Sequence, residues 1–174
     1  MALGPILVIA LRLVAPISIR RWPLWGTVAC LVLDAVDVIL IDVIKLGDFT
    51  NYAQVDKLLD IYYLSFALVV SLAWQEILAK KTSIVLFIYR LIGVILFEVT
   101  QVRILLFIFP NMFENWFLFW AARNRYFAKW QLTPKRLAFT LIALLIPKLA
   151  QEYVLHVREM HPWNWIQEKT GLLK

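Results

Sequence analysis

Apolar runs of helical length, separated by short polar or proline-marked breaks, organise this chain. Six are legible. The first runs from about Pro5 to Ile19 and is short for a membrane span. The second runs from about Leu24 to Leu46, opened by Pro23 and closed by Gly47–Asp48. Proline suits the first turn of a helix, where its missing N–H is not needed. The third covers about Val55 to Leu78, and the fourth starts at Thr82–Ser83 and reaches about Gln101. Hydroxyl side chains at that position predict an N-cap. The fifth, about Ile104 to Ala122, is broken or kinked at Pro110–Asn111. The sixth opens with Thr133 as N-cap and Pro134 as first helical residue. It continues to about Val157, with a kink expected at Pro147.

Composition decides what surrounds these helices. Of 174 residues, 62% are hydrophobic and 17% charged, against roughly 45–50% apolar in ordinary globular domains. The mean hydropathy is +0.74. Too little polar material remains to coat a water-soluble sphere, so the bilayer is the expected solvent. About 20 apolar residues cross a hydrocarbon core of about 30 Å. The expected fold is an all-α polytopic integral membrane bundle of about six transmembrane helices with a polar interior, forming one domain over residues 1–174. MALGPILVIALRLVAP lacks a basic leading region, and Arg12 interrupts it. It reads as a first span or an interfacial helix, not as a cleaved signal.

The net charge of +6 would raise nucleic acid as a partner for a soluble protein. Here the bases cluster between apolar runs: Arg20–Arg21, Lys80–Lys81, and Arg123, Arg125, Lys129, Lys135 and Arg136. That pattern points to lipid headgroups and sets topology. Six spans would place these three clusters together on the cytoplasmic face of a plasma or inner membrane, with both termini outside. With an interfacial first segment, the basic loops stay together and the N-terminus moves inside. Trp22, Trp25, Tyr126, Trp130, Trp163 and Trp165 flank the runs as an aromatic belt does. Expected partners are the lipid bilayer and other membrane subunits or a second copy, with no nucleic acid. The lone Cys30 cannot form an internal disulfide, and no Cys/His metal spacing exists. His156 and His161 read as interfacial.

Charges inside the apolar runs carry the candidate chemistry. Asp34 and Asp37 are three apart and share a helix face; Asp56 and Asp60 are four apart and do the same, with Tyr63 continuing the stripe. A hairpin of these two helices can point all four carboxylates into one cavity, the oxygen cage that Mg²⁺ or Mn²⁺ requires. The alternative is pairing, with Arg12 or Arg90 from neighbouring helices neutralising the acids. Arg90 and Gln101, eleven apart, form a second polar stripe, with Glu98 within about 80° of Arg90 and Gly93 offering a close-packing point on the same side. Arg90 is expected to pair with an aspartate of the second helix, and Lys148 with Glu152. Pro110 and Asn111 free backbone groups inside FIFPNMFENW. Irregular backbone at membrane depth needs protein or a cavity around it, so a re-entrant turn or broken helix facing the aspartates and a loop at the membrane surface are all open.

Asp34-x2-Asp37 and Asp56-x3-Asp60, after the arginine-containing IALRLVAPISIRR, resemble the CDP-alcohol phosphotransferases. Members of that family are six-span membrane enzymes carrying Asp-x2-Asp-Gly-x2-Ala-Arg-x8-Gly-x3-Asp-x3-Asp. The resemblance covers about the first third of the chain. It implies Asp34, Asp37 and Asp56 as ligands of divalent metal and Asp60 as the catalytic base on an incoming alcohol. Val38 stands in place of the family glycine, Ile41 and Asp42 in place of Ala-Arg, and Asn51 in place of the later glycine. The acidic gap is also one residue longer. Two functional readings follow. One is a non-catalytic, transport or accessory membrane component with a charge-paired polar core. The other is a metal-dependent enzyme acting on lipid head groups.

Overall fold

The computed structural model describes the backbone of residues 3–44 and 52–154 and the side chains of residues 7–36 and 57–154. It is all-helical, with no strand among the described residues. The order is α1 (Leu3–Val14), a 3-10 helix (Ala15–Arg20), α2 (Pro23–Ile44), α3 (Tyr52–Leu72), α4 (Ile77–Thr100), α5 (Ile104–Ile108), α6 (Met112–Tyr126) and α7 (Pro134–Glu152). Asp37, Asp42 and Asp56 lie within helix bounds, but their side chains fall outside the described residues. So do those of Lys45, His156, His161, Trp163 and Trp165.

Helix α6 is the central pillar. Phe113, Trp116, Phe117 and Trp120 on it are fully buried, and its neighbours pack around their rings. It runs antiparallel to α4. Ser83 Oγ accepts from Trp116 Nε1 at 3.1 Å, Phe87 meets Phe113 edge to face, and Tyr89 lies against Phe109. Trp74, in the turn after α3, stacks on Phe117 at 5.4 Å and tilts against Trp120 at 5.9 Å. The α3–α4 turn therefore lies at the same end of the bundle as the α6–α7 loop.

Several boundaries differ from those the sequence predicts, and the first segment is α-helical only to Val14 before it tightens into the 3-10 helix Ala15–Arg20. Helix α3 stops at Leu72, not Leu78, because Trp74 turns inward to the α6 rings. Helix α4 then begins at Ile77, so Thr82 and Ser83 do not cap it. Their hydroxyls instead donate to the carbonyls of Leu78 and Ala79, four residues back within the helix. Lys80 and Lys81 fall in the first turns of α4. At α7 the expected cap forms, with Thr133 Oγ1 accepting from the Arg136 amide. The helix continues through Pro147 to Glu152.

Among the described residues, two segments are long and apolar enough to cross a bilayer. They are Ile77–Thr100 and the composite Ile104–Tyr126, which is broken at Phe109–Asn111. Helix α4 has an inverted pattern: Ala79, Ser83, Arg90 and Gly93 face inward, while Val85, Ile88, Ile92, Ile95 and Val99 face outward. Two glycines mark close backbone approaches. A Cβ on Gly93 would overlap the Cβ of Phe109 at the α5–α6 break, and one on Gly26 would press on the Ile19 backbone at 2.7 Å.

Candidate functional site

Helices α1, α2 and α3 bring three charges together. Arg12 Nη2 lies 2.6 Å from Asp34 Oδ1 and 3.0 Å from Asp60 Oδ1. The guanidinium is 6% exposed, Asp60 17% and Asp34 40%. The other Asp60 oxygen faces Lys57 Nζ at 4.0 Å, one turn back on α3. Tyr62 Oη donates to the Leu13 carbonyl at 3.1 Å, fixing α3 against α1 beside the pair. Arg12 thus sits where the acids of α2 and α3 converge. A planar fork of donors suits two acceptors at once, which a lysine ammonium does less well.

Next to this pair is a cavity of only about 10 Å³, lined among others by Arg12, Asp34, Cys30 and Tyr63. That is room for about one water. Tyr63 begins a second set of polar contacts. Its hydroxyl donates to Glu114 Oε2 on α6 in a short hydrogen bond. Asn111 Nδ2 donates to the same oxygen at 2.8 Å, and Asn111 Oδ1 accepts from the Glu114 amide at 3.4 Å, capping α6. The Asn111 amide, freed by the break, donates to Glu152 Oε1 on α7 at 3.3 Å. Lys148 Nζ pairs with that same oxygen at 3.2 Å and donates to Gln151 Oε1 at 3.2 Å. Asn111, Lys148 and Glu152 are all buried.

These contacts form two polar clusters, Asp34–Arg12–Asp60 and Tyr63–Glu114–Asn111–Glu152–Lys148. Tyr63 begins the second and lines the small cavity beside the first. At the Pro110–Asn111 break the structure has a broken helix, α5 followed by α6, with Glu114 just after the break meeting Tyr63 of α3. The sequence signal for this half was the polar trio Asn111, Glu114 and Asn115 inside an apolar run. Its partners on α3 and α7 were not readable from it.

Arg90 goes elsewhere than expected. Its Nη1 donates to the carbonyl of Phe109 at the break, at 3.0 Å, and among the described residues it meets no aspartate. Its Nε is buried without a hydrogen-bond partner among the described residues, as is Glu98 Oε1. Tyr89 Oη satisfies the neighbouring Ile108 carbonyl at 2.6 Å. Arg90 and Tyr89 thus serve the orphaned carbonyls at the end of α5.

Of the four candidate metal-binding aspartates, Asp34 and Asp60 meet on Arg12. Asp37 and Asp56 lie outside the described side chains. Among the described residues, no group of three or more His, Cys, Asp or Glu side chains is placed to hold a metal ion. Comparison of the chain with protein-family models, curated proteins and solved structures finds no match.

Proposed function

We propose that this chain is a multi-pass integral membrane protein, a non-catalytic accessory or transport component whose helices are held in register by a charge-paired polar core. The observation that carries this reading is the Arg12 guanidinium lying between Asp34 and Asp60. A cation already occupies the point where the two acids converge. The adjoining cavity admits about one water and no head group. Membrane insertion is supported by the outward apolar face of α4, whose small and polar residues turn inward. Charges at membrane depth persist where they face the bundle interior and pair.

The second reading is the metal-dependent phosphotransferase. What favours it is the convergence of α2 and α3 acids from the segments that resemble the family. It requires Mg²⁺ or Mn²⁺ to displace Arg12 and to recruit Asp37 and Asp56, with Asp60 as base. The two readings separate on Arg12→Gln and Asp60→Asn in detergent, with thermal unfolding and Mn²⁺ titration as readouts. A paired core predicts that Arg12→Gln destabilises strongly, that adding Asp60→Asn restores part of the loss, and that Mn²⁺ leaves the unfolding midpoint unchanged. A midpoint raised by Mn²⁺ in Arg12→Gln and wild type alike, with Asp60→Asn folded but unresponsive, would overturn it in favour of the enzyme.

A further inference from the structure

A second cavity lies far along the chain from the acids. It has a volume of about 610 Å³ between the end of α6, the connecting loop and the start of α7. Its walls are apolar, formed chiefly by Phe119, Phe127 and Phe139, and three bases line it: Arg123, Lys135 and Arg136. The size is that of a small-molecule site.

The three bases differ in how they are held. Arg123 is fixed: Nε donates to the Trp130 carbonyl at 2.8 Å, Nη1 to Asn124 Oδ1 at 3.0 Å, and the guanidinium lies 4.8 Å from the Trp120 ring centre. Arg136 lies over Trp130 at 5.5 Å and donates from Nη1 to the Gln131 carbonyl at 2.8 Å. Lys135 is exposed beside it. None of the three has a carboxylate partner among the described residues, and the sequence holds no acid between Glu114 and Glu152. Lys135 and Arg136 also stand in the first turn of α7, which carries no acidic residue. Cations there oppose the helix dipole, and an anion beside them would relieve that cost.

The apolar side of the cavity is continuous with an outward stripe on α7. Phe139, Ile142 and Ile146 recur at helical spacing and are 75%, 59% and 66% exposed. Phe127, at the mouth, is 67% exposed. A basic rim over a greasy trough that leads down one helix face matches a molecule with an anionic head and an acyl tail.

We propose that this cavity binds one anionic phospholipid. Its phosphate lies against Lys135 and Arg136, Arg123 supplies a fixed charge behind them, and an acyl chain follows Phe139, Ile142 and Ile146. The proposal rests on the membrane reading and not on the charge-paired core. Alkaline carbonate extraction of membranes tests that prior step, since a chain released into the wash contradicts membrane insertion itself. The lipid site is tested on protein in nanodiscs of mixed phosphatidylcholine and phosphatidylglycerol, by native mass spectrometry of the lipid retained per chain. The expected result is one phosphatidylglycerol retained in preference to phosphatidylcholine. Lys135→Gln with Arg136→Gln lowers that retention roughly tenfold or more, as loss of two interfacial cations implies. Ala122→Trp, which fills the cavity without changing charge, also abolishes it. Arg125→Gln with Lys129→Gln removes one charge from the last turn of α6 and one from the following loop, neither lining the cavity, and leaves retention near wild type. Equal losses from the two charge pairs, retention unchanged by Ala122→Trp in a protein with wild-type circular dichroism, or no preference for the anionic lipid would each overturn the site.

Discussion

Arg12 shows how one residue sets the state of several others. Removing it takes away the guanidinium that Asp34 and Asp60 share. Breaking a buried pair by deleting one partner costs about 3–5 kcal/mol. With Asp34 40% exposed, Arg12→Gln is expected near the lower end, about 3 kcal/mol, read as a lower unfolding midpoint in detergent. Arg12→Lys is expected to recover only part, because one ammonium cannot reproduce the planar fork. The Lys148–Glu152 pair obeys the same rule with an added constraint, since Glu152 Oε1 also accepts the Asn111 amide. Lys148→Met alone is expected to destabilise, and adding Glu152→Gln to recover part of the loss, because glutamine keeps the acceptor and drops the charge. A double-mutant cycle measures that coupling, and strict additivity would refute it.

At the scale of elements, the α5–α6 break depends on close approach. Gly93 lets α4 lie against Phe109, so Gly93→Val forces the break outward. Overpacking of this kind costs about 1–3 kcal/mol, and the Arg90 bond to the Phe109 carbonyl should weaken with it. Helix α4 ends with Gln101 in the left-handed region at φ 56°. Glycine adopts that conformation without a Cβ clash. Gln101→Gly is therefore expected to raise stability by about 0.5–1 kcal/mol and Gln101→Val to lower it, both read from thermal midpoints. Element boundaries were legible where local chemistry decides them, as at Thr133–Pro134. They were not legible at the α3–α4 turn. Thr82 and Ser83 look like a cap by residue type, but the turn is placed by Trp74 stacking on α6, a contact between residues far apart in sequence.

For the whole molecule, the charge pattern makes a topological prediction. In a Cys30→Ser background, Arg20→Cys, Lys81→Cys and Lys129→Cys should all label from one side of the membrane with an impermeant thiol reagent. A split between sides would contradict the multi-pass arrangement. The structure already places the α3–α4 turn and the α6–α7 loop at one end, through Trp74 against Trp120. The two polar features serve different ends of the reading. The two polar clusters tie five helices together, whereas the basic cavity lies at the α6–α7 loop.

The sequence by itself determined the helical class, the unusual apolarity, the break at Pro110–Asn111 and the identity of the charges needing partners. Those properties follow from local composition and periodicity, which act over a few residues. Only the tertiary structure decided which charge meets which. Asp34 and Asp60 each accept from Arg12, Arg90 turns to a carbonyl, and Glu114 joins Tyr63 to Asn111. Those choices depend on helix rotation and on neighbours far away in the chain. The helix period places Asp60 and Tyr63 on one face of α3. Which neighbouring helix that face meets is set by how the large rings of α6 pack.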